Sequence, residues 1–444
     1  MAEKNGQISS VVATAVGLGA IIGAGIYVLS GTAIALAGAY AIFAFLFVGV
    51  LAVIISLELG ELGSLLPNVK GAAYSYTYKA LGSEMGFVSG ILGYMAYSTS
   101  IGAIALGFGS YLSSLLGVPL AVYAIPSAIA LILALSVVNM FGVRKAAKAD
   151  FWLVLIKIGV LILFVLFAVY VAISNPQIGL SNVSFTFQGN ILEGIFAASV
   201  AVFFAYSGFQ SISTLTDRIE GGSKGYVKAI LSAVVISIIL YVLVVAAMLI
   251  LAPASQYKIA ADPLSYALSA VHAPSCLFVV VDIGALIATT SATLAMILTS
   301  SRYLYQISDD KLLPKYFRKY NNKTDVAQNG ILISALIGIV VLFAGNIYII
   351  AAISNFGLLF NYLIVGLDVM HFRRNNSNSP FKMPLYPYLP IIGMIFIFIM
   401  FAGMPNEALV IAYLVKVTRR CKYHRKSCRC CGYQRTYIHY DKEP

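Results

Sequence analysis

Residues 17–30 read Gly17-Leu-Gly-Ala-Ile-Ile-Gly-Ala-Gly-Ile-Tyr-Val-Leu-Ser30, inside an apolar run from Val11 to about Ala37. Gly17, Gly19, Gly23 and Gly25 crowd into nine residues. Each glycine weakens a helix by about 1 kcal/mol relative to alanine. A helix that only spans a membrane has no reason to concentrate that cost at its centre, whereas a helix that breaks there does. A break leaves N–H and C=O groups unpaired at mid-depth, which is tolerated only where something else satisfies them, such as a bound substrate or ion. Gly19 and Gly23 also form a GxxxG pair that fits close helix packing. Spacing alone leaves both readings open.

The chain around this stretch is that of a polytopic membrane protein. Of its 444 residues, 60% are hydrophobic and only 10% are charged, which excludes an ordinary soluble domain. A span needs about 20 apolar residues. Twelve segments qualify or nearly so: 10–38, 40–66, 87–116, 119–141, 151–174, 191–215, 227–252, 276–303, 328–346, 348–371, 388–404 and a short 406–417. The apolar run behind the polar start is too long for a signal-peptide core, so it reads as a retained first helix. With the N-terminus placed in the cytoplasm, Lys157 and Lys258 alone of the 29 lysines and arginines fall off the inner segments. That asymmetry is the positive-inside pattern. It predicts both termini in the cytoplasm of a cell membrane, and it accounts for the +12 net charge without a nucleic-acid partner. The outer stretch 262–272 is expected to form a short surface helix.

A second interruption is expected in the sixth segment. Phe203-Phe-Ala-Tyr-Ser-Gly-Phe209 holds a weaker break at Ala205, Tyr206, Ser207 and Gly208. Segments 1 and 6 each open a set of five, and an odd number sends the second set into the membrane from the opposite side. Interrupted helices at matching places of two inverted halves point to a transporter site. Free N–H groups and the helix dipole favour a carboxylate, and free carbonyls favour an ammonium. A zwitterionic amino acid offers both. Ordinary packing remains the other reading of Tyr206 and Ser207.

Lys157 lies seven residues beyond Asp150, about 10 Å into the fifth span at 1.5 Å per residue. A charged lysine at that depth costs a few kcal/mol. Two readings follow: burial tunes it to bind and release a proton near neutrality, or its ammonium snorkels to the inner interface. Glu58, Glu61, Asp282, Asp368 and Glu193 read as interface or paired acids, and His272 as a loop residue. No nucleophile–histidine–acid set is present, so an enzyme is not expected.

Several stretches together resemble the amino acid–polyamine–organocation (APC) superfamily. They are Gly19–Tyr27, Glu61–Pro67 followed by Gly71–Tyr74, Phe203–Phe209, Ser301-Arg302 with Asp310–Pro314, and Pro380–Met383-Pro384 with Tyr386-Pro387. The resemblance covers about residues 10–404. It implies an all-α LeuT-type fold, with a first five-helix repeat at 10–174 and an inverted second repeat at 191–371. Peripheral helices 11 and 12 follow at 388–417, between a cytoplasmic N-terminus, 1–9, and a basic Cys-rich tail, 418–444. It implies that a substrate α-carboxylate binds at Ala24, Gly25 and Ile26, that the α-amino group binds carbonyls near Ile21 and Ala205, and that Gly23 belongs to the same substrate site. Phe204 takes the gating aromatic position, with Tyr206, Ser207 and Gly208 completing the site. In proton-coupled members a helix-5 lysine approaches helix 1 near Gly19 and hydroxyls of helix 8. That makes Lys157 the expected proton carrier, with Thr290 and Ser291 as the helix-8 hydroxyls.

Two departures stand out. Many members carry an acid where this chain has Gln210, which weighs against a cationic substrate. The tail holds Cys421, His424, Cys428, Cys430 and Cys431, in a spacing that fits no familiar zinc pattern. Contact with anionic lipid, or a changed reading frame within the twelfth helix, fits the tail at least as well, and no metal or cofactor is expected. The leading expectation is a secondary active importer of amino acids by proton symport through alternating access. The alternatives are an amino acid or polyamine exchanger without proton coupling, a channel, and a substrate-binding sensor.

Overall fold

The computed structural model describes residues 8–408, apart from 67–71, 142–146, 178–181, 184, 186–188, 211, 213–218, 322–323, 325 and 376–377. The metal-ligand candidates of the tail and most of the twelfth segment lie outside the described residues.

Helices make up the whole architecture. Among the described residues there is no strand, only two isolated bridges, Ile8 with Ile219 and Asn321 with Val326. In chain order the helices are α1 Ser10–Ile21, α2 Ala24–Ala37, α3 Ala41–Leu65, α4 Ala72–Leu116, α5 Leu120–Met140, α6 Ala147–Ser174 and α7 Ile191–Tyr206. They continue with α8 Gly222–Leu251, α9 Pro263–Ala270, α10 Ser275–Asp309, α11 Gln328–Val341, α12 Ile347–Arg374 and α13 Tyr388–Ala402. Among the described residues, seven stretches are long and apolar enough to cross a membrane, and α1, α7, α11 and α13 are shorter apolar helices.

Local chemistry sets several helix starts. Ser9 Oγ accepts from Val12 N at 3.3 Å, Asn190 Oδ1 from Leu192 N at 3.1 Å, and Asn346 Oδ1 from Ile349 N at 3.0 Å. Each satisfies one orphan donor of a first turn. The expected spans need correction at some ends. The first segment is not one helix but two, α1 and α2. The third starts at Ala72, not 87, because a bend at Gly82, with φ +84°, joins a preceding helix to it. The eighth continues to Asp309, and the ninth stops at Val341. The surface helix expected at 262–272 is α9.

The centre of the molecule is α2 and the second half of α7. All of Ala24–Ile34 and all of Ala198–Tyr206 are buried. α2 packs on α7, α3 on α8, and α4 on α10 and α12. α5 and α6 turn apolar side chains outward, among them Leu133, Val137, Ile156 and Leu166. A bilayer covers such faces with acyl chains.

Small residues permit the central contacts. A Cβ on Gly25 would lie 2.2 Å from Ala205 Cα, so only glycine allows α2 and α7 to touch backbone to backbone. Gly19 and Gly23 pack against different neighbours, Val154 of α6 and Ala292 of α10. The two readings of the glycine stretch therefore both apply: the helix breaks, and its glycines also pack closely, though not on one shared face.

Candidate functional site

α1 ends at Ile21. Ile22 N donates to Leu18 O at 2.6 Å and Gly23 N to Ile21 O at 2.7 Å, after which the chain restarts as α2 at Ala24. The first-turn N–H groups of a helix have no partner within it, and Gly23 carries no side chain to cap them. The N-terminal end of α2 is therefore a donor end with a positive dipole. α7 ends at Tyr206. Ser207 is extended, with φ −61° and ψ 140°, and Gly208 has φ +128°. A side chain at Gly208 would meet Ala20 O at 2.4 Å, so glycine is required by conformation and by space.

The two breaks lie side by side. Tyr241 of α8 donates its hydroxyl to Ile21 O at 2.8 Å and reaches Ala205 O at 3.1 Å. One phenol thus holds a carbonyl from each interruption. Ser207 Oγ donates to Phe204 O at 2.7 Å. Gly208 N donates to Gln210 Oε1 at 3.0 Å, and Gln210 Nε2 donates to Tyr97 OH at 2.7 Å.

Between them is a small cavity, with about 10 Å³ of room for the centre of a water-sized sphere. Its wall comes from Ala20, Ile21, Gly23, Ala24 and Gly25 of the first break, Phe204 and Ser207 of the second, Ser100 and Ile104 of α4, and Ala292 and Met296 of α10. Six of the ten residues expected from sequence at the substrate site thus meet at one cavity. Ile26, Ala205, Tyr206 and Gly208 stand behind its wall. Tyr206 is fully buried and donates to Phe45 O of α3 at 3.1 Å, so its hydroxyl points away from the cavity.

Ala20, Ser100, Ile104, Ala292, Met296 and Tyr241 escape sequence reasoning. In apolar spans a residue facing a cavity looks like one facing a neighbouring helix. No charged side chain enters the wall. Ser100 is engaged with Ser354, Oγ to Oγ at 2.6 Å. On the α9 side the helices pack tightly: Tyr111 donates to Tyr27 O, Tyr27 donates to Lys157 O at 2.8 Å, and Pro263 packs against Gly31.

Lys157 is 2% exposed, and its Nζ donates to Gly19 O at 3.3 Å. The side chain runs inward to α1 and does not snorkel. Of the two hydroxyls expected nearby, Ser291 Oγ donates to Ala288 O at 3.1 Å in its own helix. Thr290 is two residues from the cavity-lining Ala292, which is about 200° round the helix, so it faces away from that wall.

Two interrupted membrane helices touching across a small cavity define an all-α membrane protein whose working part is its centre. The Amino acid permease family model matches residues 12–416, and the chain belongs to that family, one of multi-pass membrane transporters with a LeuT-type fold. It is similar to the Methylthioribose transporter of Bacillus subtilis (strain 168), 27% identical over 405 residues, covering 86% of this chain and 84% of that one. It is also similar to the Branched-chain amino acid permease BcaP of Lactococcus lactis subsp. cremoris (strain MG1363), 28% identical over 418 residues, covering 89% and 88%. The Cationic amino acid transporter 3, mitochondrial, of Arabidopsis thaliana is 25% identical over 372 residues, covering 80% and 60%.

Proposed function

We propose that the protein imports a neutral amino acid by proton symport, working by alternating access in a cell membrane with both termini in the cytoplasm. The repeats would be 10–174 and 191–371, with α2 and α7 closing over the substrate. The observation that carries the substrate reading is the pairing of a donor end and an acceptor end in one cavity. The uncapped first turn of α2, at Ala24, Gly25 and Ile26, suits the α-carboxylate. Ala205 O, oriented by Tyr241, suits the α-ammonium, since a carbonyl oxygen accepts two hydrogen bonds, whereas Ile21 O already accepts from both Gly23 N and Tyr241. The side chain of the substrate then meets Ser100, Ile104, Phe204, Ala292 and Met296. A cationic side chain buried against that wall without a partner costs several kcal/mol, so an uncharged one is favoured. Branched-chain amino acid appears in the name of one relative, which agrees.

Lys157 supports proton coupling. Neutral or charged, the amine can donate to Gly19 O, and only the charged form pulls strongly on α1. Its protonation state thereby biases how α1 sits against α6. The test is uptake into proteoliposomes with an imposed pH gradient, for the wild type and for Lys157→Ala. Wild-type accumulation should require the gradient, and the variant should lose that dependence while still binding substrate. Equal gradient response in both would remove Lys157 from coupling. Accumulation by exchange alone, with no response in either, would make the protein an exchanger. Competition by methylthioribose in the same assay tests the substrate that another relative's name carries.

A further inference from the structure

Where α10 hands over to α11, the chain reads Asp309-Asp-Lys-Leu-Leu-Pro-Lys-Tyr-Phe-Arg-Lys319, a basic and aromatic stretch that substrate binding leaves unused. It is fastened at several points. Ser308 Oγ donates to Pro314 O at 2.9 Å, Asn329 Nδ2 donates to Tyr316 O at 2.8 Å, and Asn321 pairs with Val326 as an isolated bridge. Lys315–Arg318 is a turn of 3-10 helix. At three residues per turn, side chains at i and i+3 eclipse, so Lys315 and Arg318 share one face. Both are exposed, whereas Phe317 packs on the core.

The nearby acids leave this face positive. Asp310 accepts from Tyr74 OH at 2.6 Å. Asp309 pairs with Arg318 Nε at 2.7 Å, but the two side chains are 36% and 49% exposed, and an exposed pair of this kind is weak. A guanidinium has five N–H donors, so Arg318 keeps others for a second acceptor. Among the described residues no acid pairs with Lys315 or Lys319. The depth of the stretch in the bilayer follows from α11. Asn329, which holds Tyr316 O, lies in the first turn of that helix. One turn further on begins a row of outward apolar side chains, Leu332, Leu336 and Val340, each more than half exposed. Residues four apart lie on one helix face, and acyl chains cover such a row. Tyr316, itself 61% exposed, therefore stands where the acyl chains end. That is the headgroup level, which an amphipathic tyrosine ring favours.

We propose that this stretch binds the headgroup of an anionic phospholipid. Lys315 and Arg318 take the phosphate oxygens, Lys319 adds to the positive field, Tyr316 lies at the headgroup boundary, and an acyl chain runs along Leu332, Leu336 and Val340. Clustered cations at a membrane surface attract anionic lipid, and a loop already fastened loses little freedom on binding. A soluble acidic partner would have to enter the headgroup layer to reach the same face, so the lipid is the better fit. The site depends on neither the substrate nor the role of Lys157.

The test uses the full chain in lipid vesicles and a local fluorophore. Trp152 is the single tryptophan, so Trp152→Phe with Tyr316→Trp leaves one reporter, at 316. Its quenching is compared in vesicles doped with brominated phosphatidylglycerol or, at equal mole fraction, brominated phosphatidylcholine. The anionic lipid should be preferred about fivefold at low salt, and the preference should shrink as salt is raised. Adding Lys315→Gln and Arg318→Gln should bring the two lipids to parity, and Lys315→Arg should keep the preference. Equal quenching by both lipids before those changes, or a preference that survives them, overturns the proposal. Quenching by neither lipid places 316 in water and overturns it too, and an emission shift on adding polyglutamate would then assign the face to a soluble acidic partner. Loss of the preference on adding millimolar inorganic phosphate at constant ionic strength would make the occupant free phosphate instead. Melting of each variant in detergent identifies any that has failed to fold.

Discussion

The first span is broken by glycine and sealed by packing, whereas the sixth is broken by a turn whose backbone is held by polar side chains. At the first break Gly25 lies on Ala205 and Lys157 reaches Gly19 O. At the second, Gln210 takes the Gly208 N–H and Ser207 turns back to Phe204 O. The first break exposes helix N–H groups and the second exposes carbonyls. Placing the two ends together makes a bipolar site with no charged residue in its wall. On the proposed reading the chemistry that recognises a zwitterion is all backbone, and side chains serve to hold that backbone still.

The largest expected effect comes from separating the two breaks. Gly25→Val places a side chain on Ala205 Cα, where nothing flexible can yield. Overpacking of this kind costs about 1–3 kcal/mol. Uptake should be abolished and the melting temperature lowered by several degrees. Near-normal uptake would mean that α2 and α7 need not touch in the working cycle.

A smaller effect is expected from the group that joins the breaks without sealing them. Tyr241→Phe keeps the ring and removes the donor shared by Ile21 O and Ala205 O. Loss of one such hydrogen bond is worth about 1 kcal/mol, so KM should rise roughly fivefold with little change in maximal rate. An unchanged KM would show that those carbonyls need no orienting.

The smallest effect sharpens the contrast between cavity wall and supporting shell. Tyr206→Phe removes a hydroxyl whose acceptor is Phe45 O. A stability loss of about 1 kcal/mol in a melting curve is expected, with KM unchanged. A raised KM would return Tyr206 to the substrate site.

The sequence carried most of the spans and the place of the first break, because glycine in a membrane helix has a local cost that composition reveals. The second break was harder to read, since only Ser207 and Gly208 signal it. Lys157 was conspicuous as a charge in an apolar run, yet its choice between snorkelling and reaching α1 was invisible there. That choice depends on which helix stands beside α6.

Chain order and periodicity alone thus determined a many-helix membrane protein with an interrupted first span, because hydrophobic length and glycine cost are properties of single segments. Tertiary structure alone decided that Tyr241 bridges the two breaks, that Tyr206 turns away, and that Ile104, Ala292 and Met296 line the cavity. Each of these is a contact between helices far apart in sequence. In spans that are apolar on every side, no periodic pattern marks which face will meet which neighbour.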